Sequence, residues 1–348
     1  MRGTDQSFAS MISKNILRLL SAALTALVMP TALSAQSAAS TPAGCFPVLL
    51  QAGADNAIGI PLQRSAGFVG RIHSISGFEI TLATSAGWTP NELIGANAKN
   101  EKYFCQIRTG ALAGATLPII SNDDGSFMIS PQSEDITELL SDAQDGTGDV
   151  ILVIPYWTPE SLFNYTQVPE NTKLILLESD STDVCASLVY ASGLWTDLHG
   201  NDASSSIIKR GEGLLVCLPA NTADVHLNIL GHVPTTPERF VFDAADDNQG
   251  KDVFFALSHP EGIALQDAGL ELDDRTIIFA YDGASGYGGN PAAVYTFYEG
   301  YGWFDELFQA VDASIALDPG RAYFIRVPQA EPYTQWVWTR SPNYVSSI

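Results

Sequence analysis

The histidines of the chain do not stand at the spacing of a metal site. A His-Glu-x-x-His helix, which would place two imidazoles one turn apart on a zinc ion, is absent. No two histidines stand at metal-ligand spacing on a helix, and His226 and His232, which flank a break between strands, are interpreted as turn or surface residues. The five are His73, His199, His226, His232 and His259. We therefore predict no metal ion and no cofactor.

The serine and glycine motifs of hydrolases and nucleotide enzymes are incomplete. Ser285 follows Gly283, but Tyr287 stands where a nucleophile elbow needs its second glycine. Gly211 and Gly213 lack the third glycine and the following helix of a phosphate loop. We predict no catalytic residue and a chain that is not an enzyme.

An acidic loop, Asp243 to Asp252, carries alternating oxygen-bearing side chains as calcium loops do. Asp246, Asn248 and Gly250 keep that alternation, but the terminal glutamate of an EF-hand is missing. A solvated hairpin turn is the interpretation that we favour for this segment.

Two tyrosines are candidates for ligand stacking. Tyr287 and Tyr301 lie in Gly-rich loops where no strand face requires them. Aromatic side chains in loops often contact glycans or protein partners because they combine a flat apolar ring with a polar group. Ordinary decoration of a hairpin tip is the alternative.

The four cysteines, Cys45, Cys105, Cys185 and Cys217, do not have the spacing of a metal site. In an oxidising compartment an even number permits disulfides. A Cys185–Cys217 bridge is the pairing that we favour, because each residue lies in or beside a predicted strand within residues 155–230, which belong to one repeat unit described below. Cys45 could compete for Cys217.

The first 40 residues have the order of a secretory signal. Lys14 and Arg18 precede an apolar run over 19–33, and small residues follow it. We predict cleavage after Ala35, with Ser37 as the alternative. The mature chain is then exported to the periplasm, the cell surface or the medium.

Two other interpretations of this terminus remain open. An uncleaved membrane anchor is disfavoured because Pro30 interrupts the apolar run. A lipoprotein attached at Cys45 is disfavoured because Pro42 replaces the aliphatic residue expected there. We expect no membrane span in the mature chain.

Charge narrows the choice of partners. The chain carries 17 Lys and Arg against 39 Asp and Glu, a formal net charge of −22. Nucleic acid and anionic membranes are therefore poor partners. A glycan or an envelope protein is the kind of partner that remains.

Short β runs between Asn, Asp, Gly and Pro turns dominate the chain after the signal. Ile72–Leu82 predicts a hairpin with Phe78 and Ile80 on its core face. A helix is predicted over Glu134–Ala143, and Thr158-Pro159 predicts the start of a single helical turn. The pattern is typical of sandwiches and barrels.

An internal repeat organises these strands. The segment YASGLWTD, Tyr190–Asp197, matches YEGYGWFD, Tyr298–Asp305. Downstream, GEGLLVCLP, Gly211–Pro219, matches GRAYFIRVP, Gly320–Pro328.

The repeat extends upstream, where the segment from Gly44 resembles the segment from Gly231. It also pairs Trp195 with Trp303, which we interpret as core anchors of equivalent strands rather than as sugar-stacking residues.

We therefore predict a mostly β fold with two related β-sandwich or barrel-like modules. Residues 1–35 are the signal peptide. Module one comprises 42–64 and 155–230, and a further small β unit, 65–154, is inserted in it. Module two comprises 231–344.

Several segments together resemble an uncharacterised family of exported bacterial proteins of about this length. They are PAGCFPVLL, the GFVGRI–SISGFEITL hairpin, Trp88-Thr89, RTGALAG, VILVIPYWTPESLF, the repeated Tyr–Trp and Gly–Pro elements, and WTRSPNY. The resemblance implies a secreted β protein with a duplicated module and brings no established activity.

These observations favour an exported, non-enzymatic structural or surface- and envelope-associated β protein. A secreted carbohydrate-binding module is the alternative, and a glycan-active hydrolase is a weaker one.

Overall fold

Strands make up most of the secondary structure, and the mostly β class is confirmed. The computed structural model describes residues 42–95, 102–131, 134–142, 147–177, 184–243, 251–282, 290–327 and 335–345. The predicted signal peptide, Tyr287 and the central residues of the acidic loop, 244–250, lie outside these ranges.

Seven strands from both sides of the predicted insertion form the first group. They are β1 Ala43–Leu50, β2 Asp55–Ile58, β9 Lys173–Leu177, β10 Val184–Ala191, β11 Leu194–Thr196, β12 Leu214–Cys217 and β13 Val225–His232. Five of them form an antiparallel sheet of order β11-β10-β9-β12-β2, and β1 pairs with β13 as a separate ribbon. Because side chains alternate along a strand, one face of the sheet carries the core, which includes Leu174, Trp195 and Leu214.

Six strands between β2 and β9 close into a barrel. They are β3 Phe68–Ser76, β4 Glu79–Leu82, β5 Tyr103–Ile107, β6 Thr116–Asn122, β7 Ser126–Ile129 and β8 Val150–Pro155, in the order β3-β4-β7-β6-β5-β8. Buried aliphatic side chains such as Ile72, Ile80 and Ile107 fill the interior. The Gly67 amide donates to the carbonyl of Val153 at 2.8 Å, so the chain enters and leaves the barrel at neighbouring points.

Nine strands form the last group. They are β14 Glu238–Asp243, β15 Lys251–Ala256, β16 Ile263–Ala264, β17 Ile277–Ala280, β18 Ala293–Tyr298, β19 Gly302–Asp305, β20 Ala316–Leu317, β21 Ala322–Val327 and β22 Gln335–Arg340. Their five-stranded sheet has the order β15-β21-β17-β18-β19, and β14 pairs with β22. This is the strand order of the first group, repeated.

The repeat also holds residue by residue. Trp195 in β11 lies opposite Tyr190, and Trp303 in β19 lies opposite Phe297. Both tryptophans are buried, which confirms them as core anchors. Asp197 and Asp305 each accept two backbone N–H groups in the loop that follows.

The upstream part of the sequence repeat needs a correction. Gly44 and Gly231 are not equivalent residues; they lie opposite each other in the β1–β13 ribbon. The counterpart of β1 is β14, because β14 pairs with β22 as β1 pairs with β13.

The two sheets contact each other through the faces that point away from their own cores. Leu177 and Leu215 from the first sheet pack with Phe254 and Phe324 from the second. The contact is reciprocal. Isolated bridges join Ile58 to Arg321 and the equivalent Phe255 to Glu212.

Two local predictions are wrong. The segment predicted as a helix over Glu134–Ala143 contains a 3₁₀ turn, Ile136–Glu138, capped by Asp135, and among its other described residues only Asp142 is helical. Phe78 lies in the β3–β4 turn and is exposed rather than in the core. The helical turn at Thr158 is confirmed as α1, Pro159–Phe163, with Thr158 and Ser161 forming a capping box.

Candidate functional site

Tyr301 stands at the tip of the β18–β19 hairpin, and 82% of its surface is exposed. The loop that follows β19, at the other end of that strand, carries Leu307 and Phe308, with exposed fractions of 70% and 73%. The other predicted tyrosine, Tyr287, lies outside the described residues.

Aromatic rings continue from this tip onto the sheet. Tyr298 lies 5.8 Å from Phe304 and 6.3 Å from Phe308, measured between ring centroids. The planes of Tyr298 and Phe308 are only 29° apart. We call Tyr298, Tyr301, Phe304, Leu307 and Phe308 the aromatic surface.

Strand register explains why these side chains share a face. In the β18–β19 pair, Phe297 and Trp303 point into the core of the module. The neighbouring residues Tyr298 and Phe304 therefore point to the opposite face. Gly302 lies directly across from Tyr298 and leaves space for its ring.

Phe308 has a backbone conformation that its residue type disfavours. Its φ is 58°, in the left-handed region, where a side chain costs roughly 1–2 kcal/mol. The equivalent residue of the first module is Gly200, with φ 81°, which adopts this conformation without that cost. Phe308 is thus both strained and exposed.

Two other positions of the aromatic surface also carry an aromatic residue where the first module has a small one. Tyr298 replaces Ala191, and Phe304 replaces Thr196. Tyr301 has no counterpart, because the second hairpin is one residue longer. The second module has therefore gained aromatic area at positions that the shared fold fills with small residues.

Sequence reasoning identified Tyr301 and missed Tyr298, Phe304 and Phe308. The missing signal was the pairing of Phe308 with Gly200. Ala203 and Val311 are equivalent, because each donates its amide to the carbonyl of the tryptophan in its own module. Gly200 and Phe308 each lie three residues before them.

Carboxylates surround the aromatic surface. Glu299 and Glu306 are both exposed and adjoin Tyr298 and Leu307 in the sequence, and Glu306 Oε2 accepts the Val294 amide at 3.4 Å. Asp305 is occupied, because its Oδ1 accepts the amides of Leu307 and Gln309 at 2.9 and 2.8 Å. A ligand resting on the rings would therefore meet hydrogen-bond acceptors at their edge.

A second polar cluster lies in the interior, between β14, β22 and the segment after β15. Glu238 and His259 are fully buried. His259 Nε2 donates to the Thr236 carbonyl at 2.7 Å, and Nδ1 lies 3.2 Å from Glu238. Arg340 Nη1 donates to Glu238 at 3.2 Å.

We call this group the ionic cluster; it comprises Glu238, His259, Arg340 and Arg210. Three of these residues have shifted pKa values. Burial alone would raise the pKa of Glu238, but the contact with His259 and the charges of Arg340 and Arg210 hold it below its usual range. Burial lowers the pKa of His259 below its ordinary value of 6.5. Burial also lowers the pKa of Arg210 to about 10.

The ionic cluster is closed to a reacting molecule at its centre. The Ser258 hydroxyl lies 3.5 Å from His259 Nδ1, the same nitrogen that faces Glu238, so the three groups are not arranged as a relay. All three residues are buried. The arrangement supports packing rather than nucleophilic catalysis.

The sheet register does not support the predicted Cys185–Cys217 bridge. Cys185 lies in β10 and Cys217 in β12, with β9 between them. Two strand spacings come to about 10 Å. A disulfide needs its Cα atoms within about 7 Å. Cys105 lies in the barrel core, and Cys45 lies opposite Leu230 in the β1–β13 ribbon.

Two further findings concern metals and membranes. Across the described ranges, His, Cys, Asp and Glu form no group of three or more that could hold a metal ion. Asp252, the described end of the acidic loop, binds Arg326 through both carboxylate oxygens at 2.6 and 2.7 Å. No helix within the described residues combines the length and apolar character that crossing a membrane requires.

The chain matches no family model, no curated protein and no solved structure.

Proposed function

We propose that the chain is an exported, non-enzymatic β protein that associates with the cell envelope or surface through the aromatic surface. The N-terminal signal pattern supports export. The strained and exposed Phe308 is the observation that carries the binding role.

A large apolar side chain that is both strained and exposed favours a role other than folding. An exposed ring buries little apolar area, so it gains little of the hydrophobic free energy that a core residue gains. A left-handed backbone adds a cost, and such outliers concentrate at functional sites. Gly200 shows that the same loop forms without either feature.

Contiguous exposed apolar surface points to a partner. Tyr301, Leu307 and Phe308 are all more than two-thirds exposed. Tyr301 lies in the turn that begins at Tyr298, and the Phe308 ring stacks on the ring of Tyr298. Apolar patches of this kind mark interaction sites in soluble proteins. Tyrosine and phenylalanine are also among the residues enriched at interfaces.

Cell fractionation tests this function. We expect the wild-type chain to sediment with the envelope, and the double variant Phe308→Gly with Tyr301→Ser to move to the soluble fraction. Leu198→Ala removes an exposed side chain from the equivalent loop of the first module and should leave the distribution unchanged.

A thermal unfolding measurement separates lost binding from lost folding. Phe308→Gly should unfold at or above the wild-type temperature, because glycine removes the left-handed strain. An envelope fraction that stays unchanged in the folded double variant would contradict the proposal.

A further inference from the structure

We infer that the ligand of the aromatic surface is a neutral glycan, an inference that rests on the proposed binding function.

The rings form a platform rather than a cage. Aromatic cages hold a cation in a space between rings, within about 6 Å of several centroids. Here Phe304 meets Tyr298 edge to face, with ring centroids 5.8 Å apart and planes at 75°, and Phe308 stacks on Tyr298 at 6.3 Å and 29°. The rings contact one another and leave no such space. A ligand therefore packs on the outer side of these three rings, where Phe308 is the most exposed.

The strand edge beside the platform is not open to an extended peptide. Val311 donates to the Trp303 carbonyl at 2.9 Å, and the Asp305 amide donates to the Gln309 carbonyl at 2.9 Å. A bridge also joins Phe304 to Ala310. The outer edge of β19 is therefore occupied, and strand addition, which needs free main-chain groups, is blocked there.

Charge favours a neutral ligand with many hydroxyl groups. Exposed Glu299 and Glu306 adjoin Tyr298 and Leu307 in the sequence, and the whole chain carries a formal net charge of −22. These charges repel phosphate- or carboxylate-bearing ligands. Hydroxyl groups donate well to carboxylates, and the C–H face of a sugar ring packs on the electron-rich face of an aromatic ring.

Affinity electrophoresis of the purified chain tests the ligand class. The native gels contain hydroxyethylcellulose, laminarin, galactomannan or dextran as neutral polysaccharides, with alginate and glycol chitosan as charged ones. We expect at least one neutral polysaccharide to slow the wild type, with the same effect in low and high salt.

The variants assign that retardation to the platform. Tyr298→Ala and Phe308→Gly introduce the residues of the first module and should each weaken binding by about tenfold. Leu198→Ala should bind as the wild type does. Thermal unfolding of each variant shows that the fold is kept.

Three results would overturn the glycan inference. They are no retardation by any neutral polysaccharide, retardation only by glycol chitosan that disappears in 0.5 M NaCl, and binding only to phosphatidylcholine vesicles. If envelope association still depends on Phe308 in any of these cases, the proposed function stands and only the ligand class is wrong. If it does not, both fail.

Discussion

Glu238, His259 and Arg340 are ionisable residues in a place where the first module has none. Their counterparts by register are Gly44, Leu62 and Gly231. The shared fold therefore forms without charges at this point. Buried ion networks are often no more stabilising than apolar packing, because each charge loses its hydration. The ionic cluster is a distinctive property of the second module.

The free energy of unfolding should decrease as the pH is lowered, because of His259. Its pKa is lowered in the folded state, so below pH 6.5 the unfolded ring takes up a proton that the folded ring does not. The unfolded state then binds more protons, and the free energy of unfolding decreases by up to about 1.4 kcal/mol per pH unit. Urea unfolding at pH 8, 7, 6 and 5 measures this slope.

His259→Leu carries the residue of the first module and removes this titration. We expect a flatter dependence between pH 7 and pH 5 in this variant. A wild-type free energy of unfolding that rises as the pH falls from 8 to 6 would show that the folded ring is already protonated between Glu238 and the Thr236 carbonyl, against this expectation.

Glycines make the close approach between the two modules possible. A Cβ at Gly211 would overlap the Phe240 ring of β14, and a Cβ at the equivalent Gly320 would overlap the Phe46 ring of β1. Both glycines have a left-handed backbone, with φ 81° and 82°. Each module therefore inserts an aromatic ring against the glycine of the other.

Alanine at either glycine should be costly. We expect Gly211→Ala and Gly320→Ala each to lower the free energy of unfolding by about 2–4 kcal/mol, from backbone strain and overpacking together. Gly200→Ala is the matched control, because its φ is also 81° but no atom lies within 4 Å of the added Cβ. It should cost about 1–2 kcal/mol. Equal losses at all three positions in urea titrations would exclude the ring contacts as the cause.

Repetition made part of this fold predictable. The paired motifs around Trp195 and Trp303 mark equivalent strands, because both tryptophans fill the same place in a core. The alignment slips at Tyr190, whose counterpart is Phe297 rather than Tyr298. The second hairpin is one residue longer, and a turn of different length shifts residues between the two faces of a strand.

Tertiary contacts decided the elements that sequence reasoning missed. The apolar pattern over Glu134–Ala143 resembles a helix, yet Glu134 pairs with Arg239 at 2.9 Å and the Leu140 amide donates to Asp149. These contacts hold the segment extended beside the barrel. Arg239 and Asp149 both lie outside residues 134–143, so the local sequence does not indicate these contacts.

At the scale of the whole molecule, the barrel is a closed unit with adjacent ends. The β3–β8 pairing places Phe68 opposite Val153. As a division into separately folding parts, the ranges 42–64 with 155–230, 65–154 and 231–344 stay a prediction.

A fragment of residues 66–156 should fold alone. Its core contains Ile72, Ile80, Ile107 and Phe127, all with at most 1% exposure, and closing the barrel leaves no unpaired edge. We expect a cooperative thermal transition by circular dichroism and dispersed amide signals by NMR. A fragment that melts gradually, or that gives collapsed spectra, would show that the barrel needs its neighbours.

The reciprocal contact between the modules has an evolutionary consequence. In a homodimer every mutation appears on both sides of the symmetry axis, so a strained phenylalanine or a buried charge would have to be tolerated twice. Here the two halves belong to one chain, and each can change alone. The Gly200 loop keeps the unstrained backbone, while the Phe308 loop can change its side chains without altering the first module.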